Sequence, residues 1–281
     1  MRILVTGGAG FIGTNLIKRL LKEDHDITSI DNYSTGLKSN HQEGCEYKEK
    51  DIVEFDWRGE YYDVVFHLAA IARIQPSFKR PEDYINTNFS GTYSVVKYCT
   101  ERDIPLIYAG SSSHHSGRYS NPYTFSKDLG EDIVKLYQEH FGLKSSITRF
   151  YNVYGPHQLE EGGYTTLIGK WMHNIKNNKQ CEIYGDGEQM RDFTHVDDIV
   201  DALILILKKE KYGYDFELGR GFNYSINEVS AMFRIKPIHK PAKPGEARTT
   251  LCTSKEAKNI LGWDPQKKLL NYIKEEGWKK I

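Results

Sequence analysis

Cysteine is scarce in this chain and no excess of either charge is present, and the two shortages narrow the functional choices. The four cysteines, Cys45, Cys99, Cys181 and Cys252, are scattered through 281 residues, with no Cys-x-x-Cys pair and no histidines at metal-ligand spacing. That pattern excludes a disulfide scaffold and a zinc ribbon, gives no metal site, and fits reduced, packed thiols. Lys plus Arg and Asp plus Glu are equal at 38 each, so no overall field draws the protein to nucleic acid or to an anionic membrane. An anionic ligand has to be held locally. The longest apolar run, residues 202–207, is too short to cross a bilayer. The chain enters a strand at once, with no basic region followed by an apolar one and a cleavage site, and a cytoplasmic protein is expected.

What the sequence does contain is alternation. Short apolar segments at residues 2–6, 26–30, 64–68, 106–109 and 147–150 alternate with amphipathic stretches at 11–21, 81–99 and 122–141. Strands apolar throughout are buried on both faces, as in a parallel sheet covered by helices. The expected fold class is therefore α/β, a Rossmann-type doubly wound parallel sheet over residues 1–150. Residues 151–281 are expected to form mainly a smaller C-terminal substrate-binding lobe, with a return to the first domain near 192–208. Loops at 152–166 and 185–191 flank a helix near 167–177 and a strand near 181–184, and helices follow at 197–208 and 226–235. No repeat or low-complexity linker separates the two parts.

Two motifs more than a hundred residues apart carry the chemistry. Thr6-Gly7-Gly8-Ala9-Gly10-Phe11-Ile12-Gly13 lies between a strand and a helix, where backbone N–H groups and the helix dipole can hold a pyrophosphate. Asp31 ends the second strand eighteen positions after Gly13; its carboxylate suits adenosine ribose hydroxyls and repels a 2′-phosphate, favouring NAD over NADP. Asp51 and Ile52 are placed to flank the adenine, and Leu68, Ala69 and Ala70 supply small residues where backbone passes the cofactor. His67 reads as a satisfied core histidine. The second motif, Tyr123-Thr124-Phe125-Ser126-Lys127, puts a phenol and an ammonium four residues apart on one helical face. The ammonium and a positive nicotinamide would lower the phenol pKa and make a base of it. Ser111-Ser112-Ser113 ends the strand just upstream, and a hydroxyl from it can hold the substrate oxygen.

These motifs, together with Asp31-Asn32, His67-Leu68-Ala69-Ala70, the run from Arg149 through Phe150, Asn152 and Gly155 to Pro156, and Tyr184-Gly185-Asp186-Gly187 with Arg191-Asp192-Phe193, resemble the extended short-chain dehydrogenase/reductases. Within them the chain is most similar to nucleotide-sugar epimerases of the UDP-glucose 4-epimerase type, from Arg2 to about Pro265. The resemblance implies Tyr123 as base, Lys127 as its electrostatic partner and Ser112 as the substrate-orienting hydroxyl, by its spacing to the preceding strand and to Gly117, with Ser113 as the alternative. It adds Asn32, Ser34, Thr35, Gly36, Asn88 and Phe150 to the cofactor set. It implies Arg73, Ser112, Asn152, Thr166, Leu167, Tyr184, Arg191 and Arg248 as substrate contacts, with Tyr184 stacking on uracil and Arg191 neutralising the diphosphate. A homodimer joined through helices near 81–99 and 123–141 is implied too.

The implied activity is epimerisation at C4 of UDP-glucose/UDP-galactose or a UDP-N-acetylhexosamine through a 4-keto sugar. A 4-ketoreductase, a GDP- or dTDP-sugar epimerase, and a non-catalytic NAD sensor are the rival readings. The chain departs from the family pattern in places. Ser112-Ser113-His114 stands where 4,6-dehydratases carry Thr-Asp-Glu, and a decarboxylase glutamate is missing there as well. His114 and His115 read as exposed loop residues. Lys243 replaces an arginine, so Arg248 is expected to share its role, and the small Thr250 leaves room for a 2-acetamido group.

Overall fold

The computed structural model describes residues 1–277; the last four residues of the expected 151–281 lobe lie outside them. Seven parallel strands form the central sheet: β1 (Arg2–Thr6), β2 (Asp26–Asp31), β3 (Cys45–Glu49), β4 (Val64–His67), β5 (Leu106–Ser111), β6 (Ser145–Phe150) and β9 (Asp215–Leu218), in the order β3-β2-β1-β4-β5-β6-β9. β4 and β5 are buried along their whole length, as expected of strands covered on both sides. On one face α1 (Phe11–Leu21) and α7 (Val196–Lys209) close a core through Leu16, Ile17, Ile199 and Leu203; on the other, α4 (Thr92–Glu101) and α5 (Pro122–Phe141) close a second through Val95, Val96 and Val134. The chain runs outward from β1 in both directions, and the crevice at the strand C-termini on either side of β1 is where such sheets bind ligands.

Helix α5 starts and stops as its sequence dictates. The Asn121 side chain accepts from the Thr124 N–H, Pro122 occupies the first turn, and Gly142 takes a left-handed conformation (φ 75°) after the last residue. The helix expected over 81–99 is instead α3 (Pro81–Ile85), a wider turn at Asn86–Gly91 and α4. That turn aims the fully buried Asn88 at the backbone of Ile71, to which it both donates (3.0 Å) and accepts (2.8 Å).

Two strands depart from expectation. β3 falls inside a stretch expected as loop, because the segment Cys-Glu-Tyr-Lys-Glu is polar and sits half-exposed at the sheet edge. β9 comes from the second half of the chain and pairs with β6. The remaining residues build a smaller lobe from α6 (Leu167–Lys176), α8 (Ile226–Met232) and two short sheets, β7 (Glu182–Tyr184) with β11 (Ile238–Lys240) and β8 (Met190–Asp192) with β10 (Asn223–Ser225). Its core gathers Trp171, Ile183, Phe193 and Val229. Among the described residues no helix is long and apolar enough to cross a membrane. From α2 (Ile74–Ser77), Gln75 donates to the Pro244 carbonyl (3.0 Å).

Candidate active site

A cavity of about 400 Å³ opens at the C-terminal ends of β1, β2, β4 and β5. Its floor is the glycine turn. Gly7 has φ +73°, and a Cβ there would stand 2.8 Å from the Ala69 Cα, while one at Gly13 would collide with the Gly7 carbonyl. The turn is thus packed against the end of β4 and against itself too closely for side chains, which holds its backbone at the start of α1. Phe11, Ile12, Asn32, Ser34, Thr35, Ile52, Leu68, Ala70 and Phe150 line the same space with Gly10 and Asp31. Asp31 is buried and accepts from the Ala9 N–H (2.9 Å) and the Tyr33 N–H (2.8 Å). Burial pushes its carboxyl pKa up, and those two backbone donors oppose the rise.

Three residues expected at the cofactor support the cavity from behind. Asp51 accepts from Asn32 Nδ2 (2.7 Å), Gly36 packs against the Asp31 carboxylate, and Asn88 holds Ile71. His67 is the satisfied core histidine expected, with Thr6 Oγ1 at 2.7 Å and Thr92 Oγ1 at 3.0 Å; burial drives its pKa down to about 3.

Tyr123 and Lys127 project from α5 into this cavity. The Tyr123 hydroxyl donates to Ser111 Oγ (3.1 Å), which is itself 2.9 Å from Ser113 Oγ. Ser112, expected as the partner of the phenol, lines the cavity at the head of the following helical turn. Lys127 is buried, and its Nζ donates to Tyr108 Oη (2.8 Å) and to the Ala109 carbonyl (2.7 Å). Tyr108 and Ser111 are the site residues that sequence reasoning missed.

Burial lowers the Lys127 pKa to about 8, against the opposing charges of Glu131 and Asp128. Burial also raises the Tyr123 pKa, opposed by the Ser111 hydrogen bond and the Arg73 charge. In the chain alone desolvation outweighs the lowering by Ser111 and Arg73; the expected lowering by Lys127 belongs to the NAD-bound state.

The two loop histidines have partners that their sequence neighbours do not reveal. His114 Nδ1 is 2.9 Å from Asp128 Oδ1, and His115 Nε2 is 2.9 Å from Glu217 Oε1. His114, Asp128 and Glu131 form a possible metal-donor set, but Glu131 is committed to Arg149, which donates to it at 2.6 and 2.9 Å.

A larger cavity of about 920 Å³ adjoins the first and reaches into the smaller lobe. Arg73, Asn152, Thr166 and Arg191 line both, while Leu167, Tyr184 and Arg248 line the outer one. Asn152 donates to Thr250 Oγ1 (2.9 Å), and the Thr166 hydroxyl caps α6 by accepting from the Gly169 N–H (2.8 Å). The Lys243 ammonium lies 3.5 Å above the Tyr184 ring centroid. Arg191 is largely buried, 3.6 Å from Glu246, and desolvation lowers its pKa. Arg248 is instead an exposed rim residue, paired with Asp186 at 2.7 and 2.9 Å.

A glycine-floored crevice at the reversal of a parallel sheet, lined by a part-buried tyrosine and a buried lysine, defines a nucleotide-cofactor enzyme of the Rossmann class. The model of the NAD dependent epimerase/dehydratase family matches residues 3–219, and the chain belongs to that family. It is 31% identical to a putative UDP-glucose 4-epimerase of Methanocaldococcus jannaschii over 97% of this chain and 98% of that protein. The UDP-glucose 4-epimerase of Thermotoga maritima, solved with UDP-glucose, superposes with a TM-score of 0.92 at 26% identity, covering 99% of this chain and 98% of that one. The UDP-glucuronic acid 4-epimerase of Bacillus cereus, solved with UDP-glucuronic acid and NAD, superposes with a TM-score of 0.87 at 26% identity, covering 100% and 98%. NAD is the cofactor of this family, and the inner cavity fits it: Gly7, Gly10 and Gly13 line it at the start of α1, and Asp31 lines it at the end of β2.

Proposed function

We propose that the protein epimerises a UDP-sugar at C4. The observation that carries this reading is that Tyr123 and Lys127 line a cavity floored by the glycine turn, which shares Arg73, Asn152 and Arg191 with a cation-rich outer cavity. Bound NAD supplies the hydride acceptor and, later, the donor. Tyr123 takes the proton of the C4 hydroxyl, with the serine cluster at Ser111 and Ser112 orienting that oxygen. Lys127, once the dinucleotide is in place, stabilises the phenolate, and Asp31 is the group that would hold the adenosine ribose. Arg191 and Lys243 suit the diphosphate, and Tyr184 a stacked uracil. The outer cavity would give a 4-keto sugar room to turn over, and Tyr123 would return the proton to its oxygen. Water elimination has little support, because serines and a histidine stand where an acid pair is needed. Helices α4 and α5 present Tyr93, Leu136 and Phe141 at the surface, which fits a homodimer built on that face.

The test is incubation of the purified protein, without added cofactor, with UDP-glucose, UDP-GlcNAc and UDP-glucuronate separately, with proton NMR of the products. The C4 epimer of any one is expected; no epimer from all three, with NAD retained, overturns the reading. A pH dependence follows from Lys127. With its pKa near 8, kcat/KM should fall as pH rises through that value, because the free enzyme then loses the ammonium charge. Lys127→Arg should remove this alkaline limb whatever its effect on the plateau, and a limb that persists unchanged would assign it to another group.

A further inference from the structure

Arg73 stands where the two cavities meet, in a backbone conformation (φ 82°, ψ 136°) that residues with side chains rarely adopt. Glycine would take it without strain, so the arginine is held there against a local cost, and such costs concentrate at functional positions. The hold is visible. Tyr84 donates to the carbonyls of Ala72 and Arg73, both at 2.9 Å, and its ring packs edge-on to Tyr123 at a centroid distance of 6.2 Å. The Arg73 backbone is therefore fixed on the ring that packs against the reactive phenol, and both Arg73 and Tyr123 line the inner cavity.

Its guanidinium is incompletely used. Nε donates to the Tyr164 carbonyl (3.1 Å), and among the described residues its two terminal nitrogens make no hydrogen bond or ion pair. The nearby Glu246 carboxylate is engaged by Gln75 (3.1 Å) and faces Arg191 (3.6 Å). Arg191 and Lys243 already supply cations for a diphosphate in the outer cavity. An open guanidinium fork in a desolvated pocket calls for a planar, two-oxygen anion, and a neutral hexose facing it leaves a partly buried charge uncompensated.

Resting on the nucleotide-sugar reading above, we propose that Arg73 selects a sugar bearing a C6 carboxylate, a nucleotide-linked hexuronic acid. C6 is borne on the carbon next to C4, so a group that reads it has to stand beside the base, as Arg73 does.

Calorimetric titration of the NAD-loaded protein with UDP, UDP-glucose and UDP-glucuronate tests this, for the native chain, Arg73→Gly and Arg73→Lys. The native chain should bind UDP-glucuronate at least about tenfold more tightly than UDP-glucose. Arg73→Gly should erase that gap, leave UDP affinity unchanged and show a melting temperature no lower than the native one, since glycine relieves the φ. Arg73→Lys should retain part of the preference. Equal native affinities for the two sugars, or a parallel loss of UDP affinity in Arg73→Gly, would overturn the assignment and leave the UDP-sugar reading standing. Absence of UDP binding by the native chain would overturn both.

Discussion

Replacement of Tyr123 by phenylalanine should lower kcat about 10³-fold, in the middle of the range for removing a general acid–base group, while the protein stays folded and keeps its NAD. Among the described residues the phenol oxygen makes a single hydrogen bond, to Ser111 Oγ, and Ser111 retains Ser113 as a partner when it is lost. The ring, packed against Tyr84, is unchanged by the substitution. The loss should therefore fall on turnover and not on stability. Ser111→Ala and Ser112→Ala, measured beside it, separate the two serines: the geometry places the larger loss at Ser111, the hydroxyl in contact with the phenol. A Tyr123→Phe enzyme within tenfold of native turnover would remove the phenol from the proton transfer. A large loss accompanied by loss of NAD would point to cofactor binding instead.

The choice between those serines shows where sequence reasoning stopped. The glycine turn, Asp31 and both caps of α5 were legible because each is a local event: a turn, a strand end, or an Asn-Pro start with a glycine stop. Strand β5 runs through Ser111 and the next helical turn begins at Ser112, and nothing in three consecutive serines marks where the alternation of the strand gives way to the turn. Non-local partners were illegible for a different reason. Tyr108 meets Lys127 because β5 lies under α5, and His115 meets Glu217 because β9 returns to the sheet after more than a hundred residues. Neither contact leaves a periodic trace. β3 was missed because an edge strand can be polar and still pair, as its register of Ile27 through Asp31 with Cys45 through Glu49 shows.

The largest stability effect is expected at Arg149. Its guanidinium, 7% exposed, donates to Glu131 on α5 (2.6 and 2.9 Å), to Glu217 on β9 (2.9 Å) and to Asp215 (3.0 Å). Glu131 is 2% exposed and accepts weakly from the Ser111 N–H (3.4 Å), while Glu217 also accepts from Tyr151 (2.8 Å) and faces His115. One cation thus holds a helix, β6 and β9 together directly behind the serine that touches Tyr123. Arg149→Met leaves Glu131 and Glu217 buried without that cation, and breaking a buried pair from one side costs about 3–5 kcal/mol, to be read as a lower urea midpoint. Glu131→Gln should cost less, since Glu217 and Asp215 still hold Arg149 and the amide oxygen can still accept. If the network merely fills space, the order reverses or vanishes, because methionine packs as well as arginine does. If it positions Ser111, Arg149→Met should also lower kcat at temperatures where the variant is fully folded, with KM little changed.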